Sequence, residues 1–273
     1  MTMHGSFLQA NTNMMAQNPA MQQKITIQNK HGEQLVGLLH ETGSNEIVVV
    51  CHGFLCTKEN RIMVNLAMAL ENEGISAFRF DFAGNGESEG SFGYSNYYRE
   101  VEDIRAVVEY FSAANRTIKA ILGHSKGGNV VLLYASKYHD IGAVINVSGR
   151  YDLTKGMEER LGTGFRETIW KNGFMDVKNG TGEIYRVTKE SMMDRLNMNM
   201  HEACLTIDEN CRVLTIHGSS DKIVHIEDAR EFEKVIANHR LQIIRGAGHG
   251  YTSRHLQRKL ASAMLNFIKD DQL

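Results

Sequence analysis

Ile118-Lys119-Ala120-Ile121-Leu122-Gly123-His124-Ser125-Lys126-Gly127-Gly128 decides how this chain folds. An apolar run stops at a glycine, a serine follows two residues on, and a further glycine pair opens a helix-like segment from Asn129 to Lys137. The pattern reads as strand, tight turn and helix, with Gly-x-Ser-x-Gly at the turn. Such an elbow holds its serine in a strained conformation and projects the hydroxyl beyond the sheet edge. Glycine is expected at 123 and 127 because side chains there would collide with the neighbouring strand and helix. Ser125 is therefore a candidate covalent nucleophile; the plainer alternative is an ordinary turn serine.

Strand-like and helix-like segments alternate on both sides of this elbow from about Lys24. Lys24–Gln28 and Gln34–His40 pair across the turn Asn29-Lys30-His31-Gly32. Glu46–Cys51 is a continuous apolar run, as in a parallel sheet buried on both faces. A helix follows with Ile62, Leu66 and Leu70 on one face, stopping at Gly74, and then the strand Ile75–Phe82. Ser95 is placed to cap a helix carrying Val101, Ile104, Val108 and Phe111. Past the elbow come strands at Gly142–Val147, Arg212–His217 and Leu241–Ile244, with helices at Glu227–Ala237 and His255–Ile268. The fold class is α/β: a mostly parallel sheet of about eight strands with helices on both faces.

Residues 149–208 break the alternation. They hold the sole tryptophan, Trp170, and six of the fourteen methionines. Helical periods are weak, around Gly156–Lys171 and Lys189–Ala203, and no strand is convincing. A structureless loop of that length is implausible, so the segment is expected to be a helical cap inserted after the sixth strand. Its methionines read as core filler or as an adaptable apolar pocket wall. The domain proper is expected over 23–273, behind a flexible N-terminal extension, 1–22, that contains the single proline, Pro19.

Composition narrows the functional classes. The 273 residues are 42% apolar, which suits one large domain, and net charge is −2. No basic excess points to nucleic acid, and no apolar run approaches the ~18 residues of a membrane span. Cys51, Cys56, Cys204 and Cys211 match neither a zinc site nor a redox pair, and free thiols are the simpler reading. The first 22 residues carry no signal-peptide pattern, so a cytoplasmic location is expected.

A serine hydroxyl needs a base to become nucleophilic, and the base needs an orienting carboxylate. In a doubly wound sheet both belong on loops at the carboxyl ends of strands. Two such loops follow the elbow: Gly218-Ser219-Ser220-Asp221-Lys222 and Gly246-Ala247-Gly248-His249-Gly250. The order Ser125, Asp221, His249 is the one expected after a nucleophile elbow. Asp221 also reads as a helix-capping carboxylate. Asp208 and Glu209 precede their strand, at the wrong end of the sheet. His217, His225, His239 and His255 rival His249, and His225 is the strongest of them because it lies beside Asp221. An oxyanion hole is expected from the backbone N–H groups of Lys126, next after the nucleophile, and Phe54, in the loop His52-Gly53-Phe54-Leu55. His52 reads as structural. Lys126 reads as a solvated or paired side chain, or, facing the site, as a group favouring acidic substrates.

These segments, with Asp81-Phe82-Ala83-Gly84-Asn85-Gly86-Glu87-Ser88, resemble the α/β-hydrolases. The similarity is strongest to the serine-aminopeptidase-like branch with its cinnamoyl (feruloyl) esterases and monoacylglycerol lipase-like enzymes. It covers nearly all of Lys24 to Lys269. The resemblance implies a serine hydrolase without cofactor or metal, with a cap between the sixth and seventh strands. Two departures bear on substrate choice: lysine at 126, where the family has an uncharged residue, and no proline after the acid in Asp221-Lys222-Ile223-Val224-His225.

Other chemistries fit less well. Gly84-Asn85-Gly86 is only part of a dinucleotide fingerprint, and Glu87 and Glu89 would repel a pyrophosphate. There is no phosphate-binding Gly-x-x-x-x-Gly-Lys and no His-Glu-x-x-His zinc motif. A serine nucleophile argues against dehalogenase and epoxide-hydrolase chemistry. The expected reaction is hydrolysis of a carboxylic ester of a small to medium apolar or aromatic substrate through an acyl-enzyme on Ser125. A thioesterase, a lactonase or a small-peptide hydrolase would use the same residues. So would a ligand receptor with slow turnover.

Overall fold

The apolar runs become the strands of one sheet. The computed structural model describes residues 22–180 and 182–270. All but the last residue of the expected N-terminal extension, Pro19 included, lies outside the described residues. Eight strands form the main sheet: β1 (Gln23–Gln28), β2 (Gln34–His40), β3 (Glu46–Cys51), β4 (Ser76–Phe80), β5 (Thr117–His124), β6 (Ala143–Val147), β9 (Arg212–Gly218) and β10 (His239–Ile244). Their order is β1-β2-β4-β3-β5-β6-β9-β10. The β1–β2 and β2–β4 pairs are antiparallel, and every other pair in this sheet is parallel.

Strand β3 shows why the central strands are apolar throughout. Ile47, Val49 and Cys51 enter the core on one face of the sheet, and Val48 and Val50 enter the core on the other. Helices α2 (Tyr97–Ala113), α3 (Lys126–Tyr138), α7 (Met200–Leu205) and α8 (Ile226–Val235) cover the first face. Helices α1 (Arg61–Asn72) and α9 (Arg254–Lys269) cover the second through Ile62, Leu66, Leu70, Leu260 and Met264. Helix α2 starts differently from expectation. Asn96, in the left-handed region at φ 52°, occupies the cap position, and the Ser95 hydroxyl is buried without a partner among the described residues.

The segment after β6 is only partly helical. Helices α4 (Met157–Leu161), α5 (Phe165–Asn172) and α6 (Lys189–Asn197) flank an antiparallel hairpin of β7 (Phe174–Lys178) and β8 (Ile184–Thr188). The expectation of a purely helical cap is corrected here. Val177, Tyr185 and Val187 face inward while Ile184 and Arg186 face solvent, a strand period carried by very few residues. The cap has a small core of its own, in which Met157, Phe165, Ile169 and Met192 meet Tyr94 from the main domain. Phe54 packs against it, edge-on to Tyr94 and Tyr185.

Among the described residues, no helix is long and apolar enough to cross a membrane. All four cysteines are free.

Candidate active site

The sheet order reverses at β3: the chain passes to β4 on one side and then to β5 on the other. Ligand sites of doubly wound sheets lie at such switch points, beyond the carboxyl ends of the strands. Cys51 at the end of β3 pairs with Gly123 at the end of β5. The loop His52-Gly53-Phe54 therefore lies directly beside Ser125.

Ser125 has φ 56° and ψ −119° and sits between β5 and α3. The flanking glycines are fixed by contact. A Cβ on Gly123 would stand 2.1 Å from the Gly127 carbonyl oxygen, and a Cβ on Gly127 would stand 2.4 Å from that of His52. The strand, the helix and the loop can approach this closely only without side chains at those positions.

His249 and Asp221 reach the serine from the loops after β10 and β9. His249 Nε2 is 2.9 Å from Ser125 Oγ, and His249 Nδ1 is 2.7 Å from Asp221 Oδ2. A carboxylate only accepts, so the imidazole proton is on Nδ1 and Nε2 is free to accept from the hydroxyl. Asp221 Oδ1 accepts from the N–H groups of Ile223 and Val224, both at 2.9 Å. Burial pushes the Asp221 carboxyl up. The hydrogen bond and charge of His249, with those two N–H donors, outweigh it and hold the group below its ordinary range.

The rival histidines are placed elsewhere. His225 is exposed before α8 and lines an outer cavity. His217 Nε2 donates to the Val224 carbonyl at 2.9 Å and lies 3.6 Å from Asp221 Oδ2. His239 contacts Thr215 at 2.8 Å, and His255 is exposed in the first turn of α9.

Phe54 and Lys126 border the same small cavity as Ser125. Their backbone N–H groups make no hydrogen bond among the described residues. His52 bears on this. Its Nε2 accepts from the Phe82 N–H at 3.1 Å, so Nδ1 carries the proton and donates to the Gly53 carbonyl at 2.8 Å. The Gly53–Phe54 peptide is planar and trans, so fixing its carbonyl on one side turns the Phe54 N–H to the other. Burial lowers the His52 imidazole to about 4, which keeps it neutral. His124 braces the loop that carries His249: its Nε2–H donates to the His249 carbonyl at 2.9 Å, and burial lowers it to about 3.

The Lys126 side chain is buried against Glu100, Nζ to Oε1 2.5 Å, and lies over the Tyr97 ring at 5.2 Å. Burial pushes the Glu100 carboxyl up to about 7, against the pull of Lys126. The sequence carries a signal for this partner, since Glu100 interrupts the inward face of α2 between Tyr97 and Ile104.

Three arginines complete the walls: Arg150 after β6, Arg160 in α4 and Arg195 in α6. Only Arg150 was within reach of sequence reasoning, because it follows a strand at the carboxyl edge. The other two depend on how the cap folds. This lining is more cationic than the apolar or aromatic one expected. Among the described residues, no cluster of three or more His, Cys, Asp and Glu side chains could hold a metal ion.

The family model described as "Serine aminopeptidase, S33" matches residues 42–175. The ferulic-acid-bound structure of Est1E from Butyrivibrio proteoclasticus superposes with a TM-score of 0.77 at 25% identity, covering 89% of this chain and 97% of that one. The chain has the α/β-hydrolase fold, and its likeness is to the serine-aminopeptidase-like branch.

This α/β-hydrolase is similar to further proteins as well. The esterase Pf2001 of Pyrococcus furiosus shares the fold, with a TM-score of 0.70 at 21% identity over 91% of this chain and 89% of that one. An uncharacterized protein of Saccharomyces cerevisiae is 24% identical over 76% of this chain and 69% of its own length.

Proposed function

We propose that this α/β-hydrolase cleaves a carboxylic ester of small to medium size through an acyl-enzyme on Ser125. The observation that carries the proposal is the continuous chain from Ser125 Oγ to His249 to buried Asp221, at 2.9 and 2.7 Å. In this reading Ser125 Oγ attacks the ester carbonyl while His249 Nε2 takes the hydroxyl proton. The oxyanion is met by the N–H groups of Phe54 and Lys126. His249 then gives its proton to the departing alcohol. Water repeats the sequence: His249 takes its proton, hydroxide adds to the acyl carbon, and the acid leaves as Ser125 regains its hydrogen. Asp221 keeps the imidazole in the right tautomer and stabilises the imidazolium. Est1E, at 25% identity, is described with ferulic acid bound, a carboxylic acid of the kind ester hydrolysis releases, and this supports the reading.

The test is labelling with a fluorophosphonate together with turnover of 4-nitrophenyl esters. Wild-type protein should show both, and Ser125→Ala should lose both while keeping its melting temperature within a few degrees. Labelling with negligible turnover would point to a receptor instead. Turnover surviving Ser125→Ala at the wild-type rate would refute the mechanism.

A further inference from the structure

Two guanidinium groups stand beside Ser125, and among the described residues no carboxylate is hydrogen-bonded to either. Arg195 and Arg150 are only 8% and 9% exposed. Arg195 donates to the Tyr97 hydroxyl at 2.8 Å and to the Lys155 carbonyl at 3.4 Å, and its Nε is buried with no partner among the described residues. Arg150 donates to the Ile223 carbonyl. Its backbone is clamped by Asn129, which accepts from its N–H at 3.1 Å and donates to its carbonyl at 2.5 Å. Arg160 is exposed and stacks 4.3 Å over the Phe54 ring.

The nearby carboxylates do not neutralise this set. Glu100 is committed to Lys126. Asp228 acts on Arg150 through space, while its Oδ1 accepts from the N–H groups of Tyr151 and Asp152. Glu158 and Glu159 are exposed at the outer cavity. Arg195 and Arg160 remain as surplus positive charge. A buried guanidinium is costly unless an anion meets it, and its planar fork matches a carboxylate.

The space is also specific. The cavity at Ser125 holds about 30 Å³, and an outer one of about 730 Å³ shares Arg150, Arg160 and Ile223 with it. About two water-sized positions fit the inner cavity, roughly the room of a carboxylate itself, so the tether joining it to the ester must be short. The buried Arg195 lines the inner cavity and not the outer one, so a negatively charged acyl part belongs in the inner cavity and the alcohol in the outer one.

We propose that the substrate is a half-ester of a short dicarboxylic acid, whose free acyl-side carboxylate is seated by Arg150 and Arg195 with Arg160 at the mouth. This rests on the ester-hydrolase reading above, and the test separates the two. Calorimetric titration of Ser125→Ala protein with monomethyl glutarate and with dimethyl glutarate measures binding without turnover. The charged ester should bind at least about tenfold tighter. That advantage should collapse on adding Arg195→Gln, and should shrink on adding Arg160→Gln, which lies on the surface and does not endanger the fold. Equal affinities, or no binding of the charged ester, would overturn the anion subsite. Wild-type turnover of 4-nitrophenyl butyrate without any preference for the hemiglutarate ester would likewise overturn it and leave the esterase standing. Discrimination in binding with no ester turnover would sustain the subsite and overturn the esterase.

Discussion

At Ser125 the backbone stands at φ 56°, where few residues other than glycine settle. The strain is held by neighbours that cannot move apart, and it places the hydroxyl 2.9 Å from His249 Nε2. The histidines test the assignment of the base. His249→Ala should lower turnover by several orders of magnitude, whereas His225→Ala should leave it within about twofold, measured on the same nitrophenyl ester. Loss on His225→Ala with survival of His249→Ala would reassign the base. Ser125, Asp221 and His249 were legible because each sits in a short loop directly after a recognisable strand. Arg160 and Arg195 were not, because side chains that meet across separate elements leave no local spacing to read; the Lys126–Glu100 pair left only the single mark of Glu100 on the inward face of α2.

Elements fix the distances that residues exploit. The end of β3 and the start of α3 touch through Gly127, where a Cβ would stand 2.4 Å from the His52 carbonyl oxygen and 2.7 Å from that of Cys51. Gly127→Ala should therefore force helix and loop apart and displace the Phe54 N–H. We expect a stability loss of about 1–3 kcal/mol and a fall in kcat larger than the rise in KM. Gly142→Ala, with nothing within 4 Å of its Cβ, is the control and should change neither. Steady-state kinetics and denaturant melts of the two variants decide the matter. The eight main strands were readable because their apolar runs are dense. The cap hairpin was not, because each of its five-residue strands presents only one or two buried side chains and half its surface is wet.

Over the whole molecule, acid stability is set by buried titrating groups of opposite tendency. Burial lowers His52, His124 and His239 to about 4, 3 and 4 from 6.5. Each binds its proton more weakly in the fold than in the unfolded chain. Their contribution is therefore complete above pH 6.5 and drains away as pH falls toward 3–4, of the order of 3–5 kcal/mol apiece. Glu100 and Asp103, raised by burial to about 7 and 6, work the other way between pH 7 and 4. Three imidazoles outweigh two carboxyls, so the melting temperature should drop between pH 6.5 and 4.5. A flat or rising profile would contradict this balance. The sheet's far edge has a different bearing. His249 follows β10, which pairs with β9 alone and is half open to water along its length. In the proposed mechanism the proton acceptor thus hangs on a margin strand with a single neighbour, and a gentle denaturant that peels away that margin should abolish ester turnover while the spectroscopic signature is still intact.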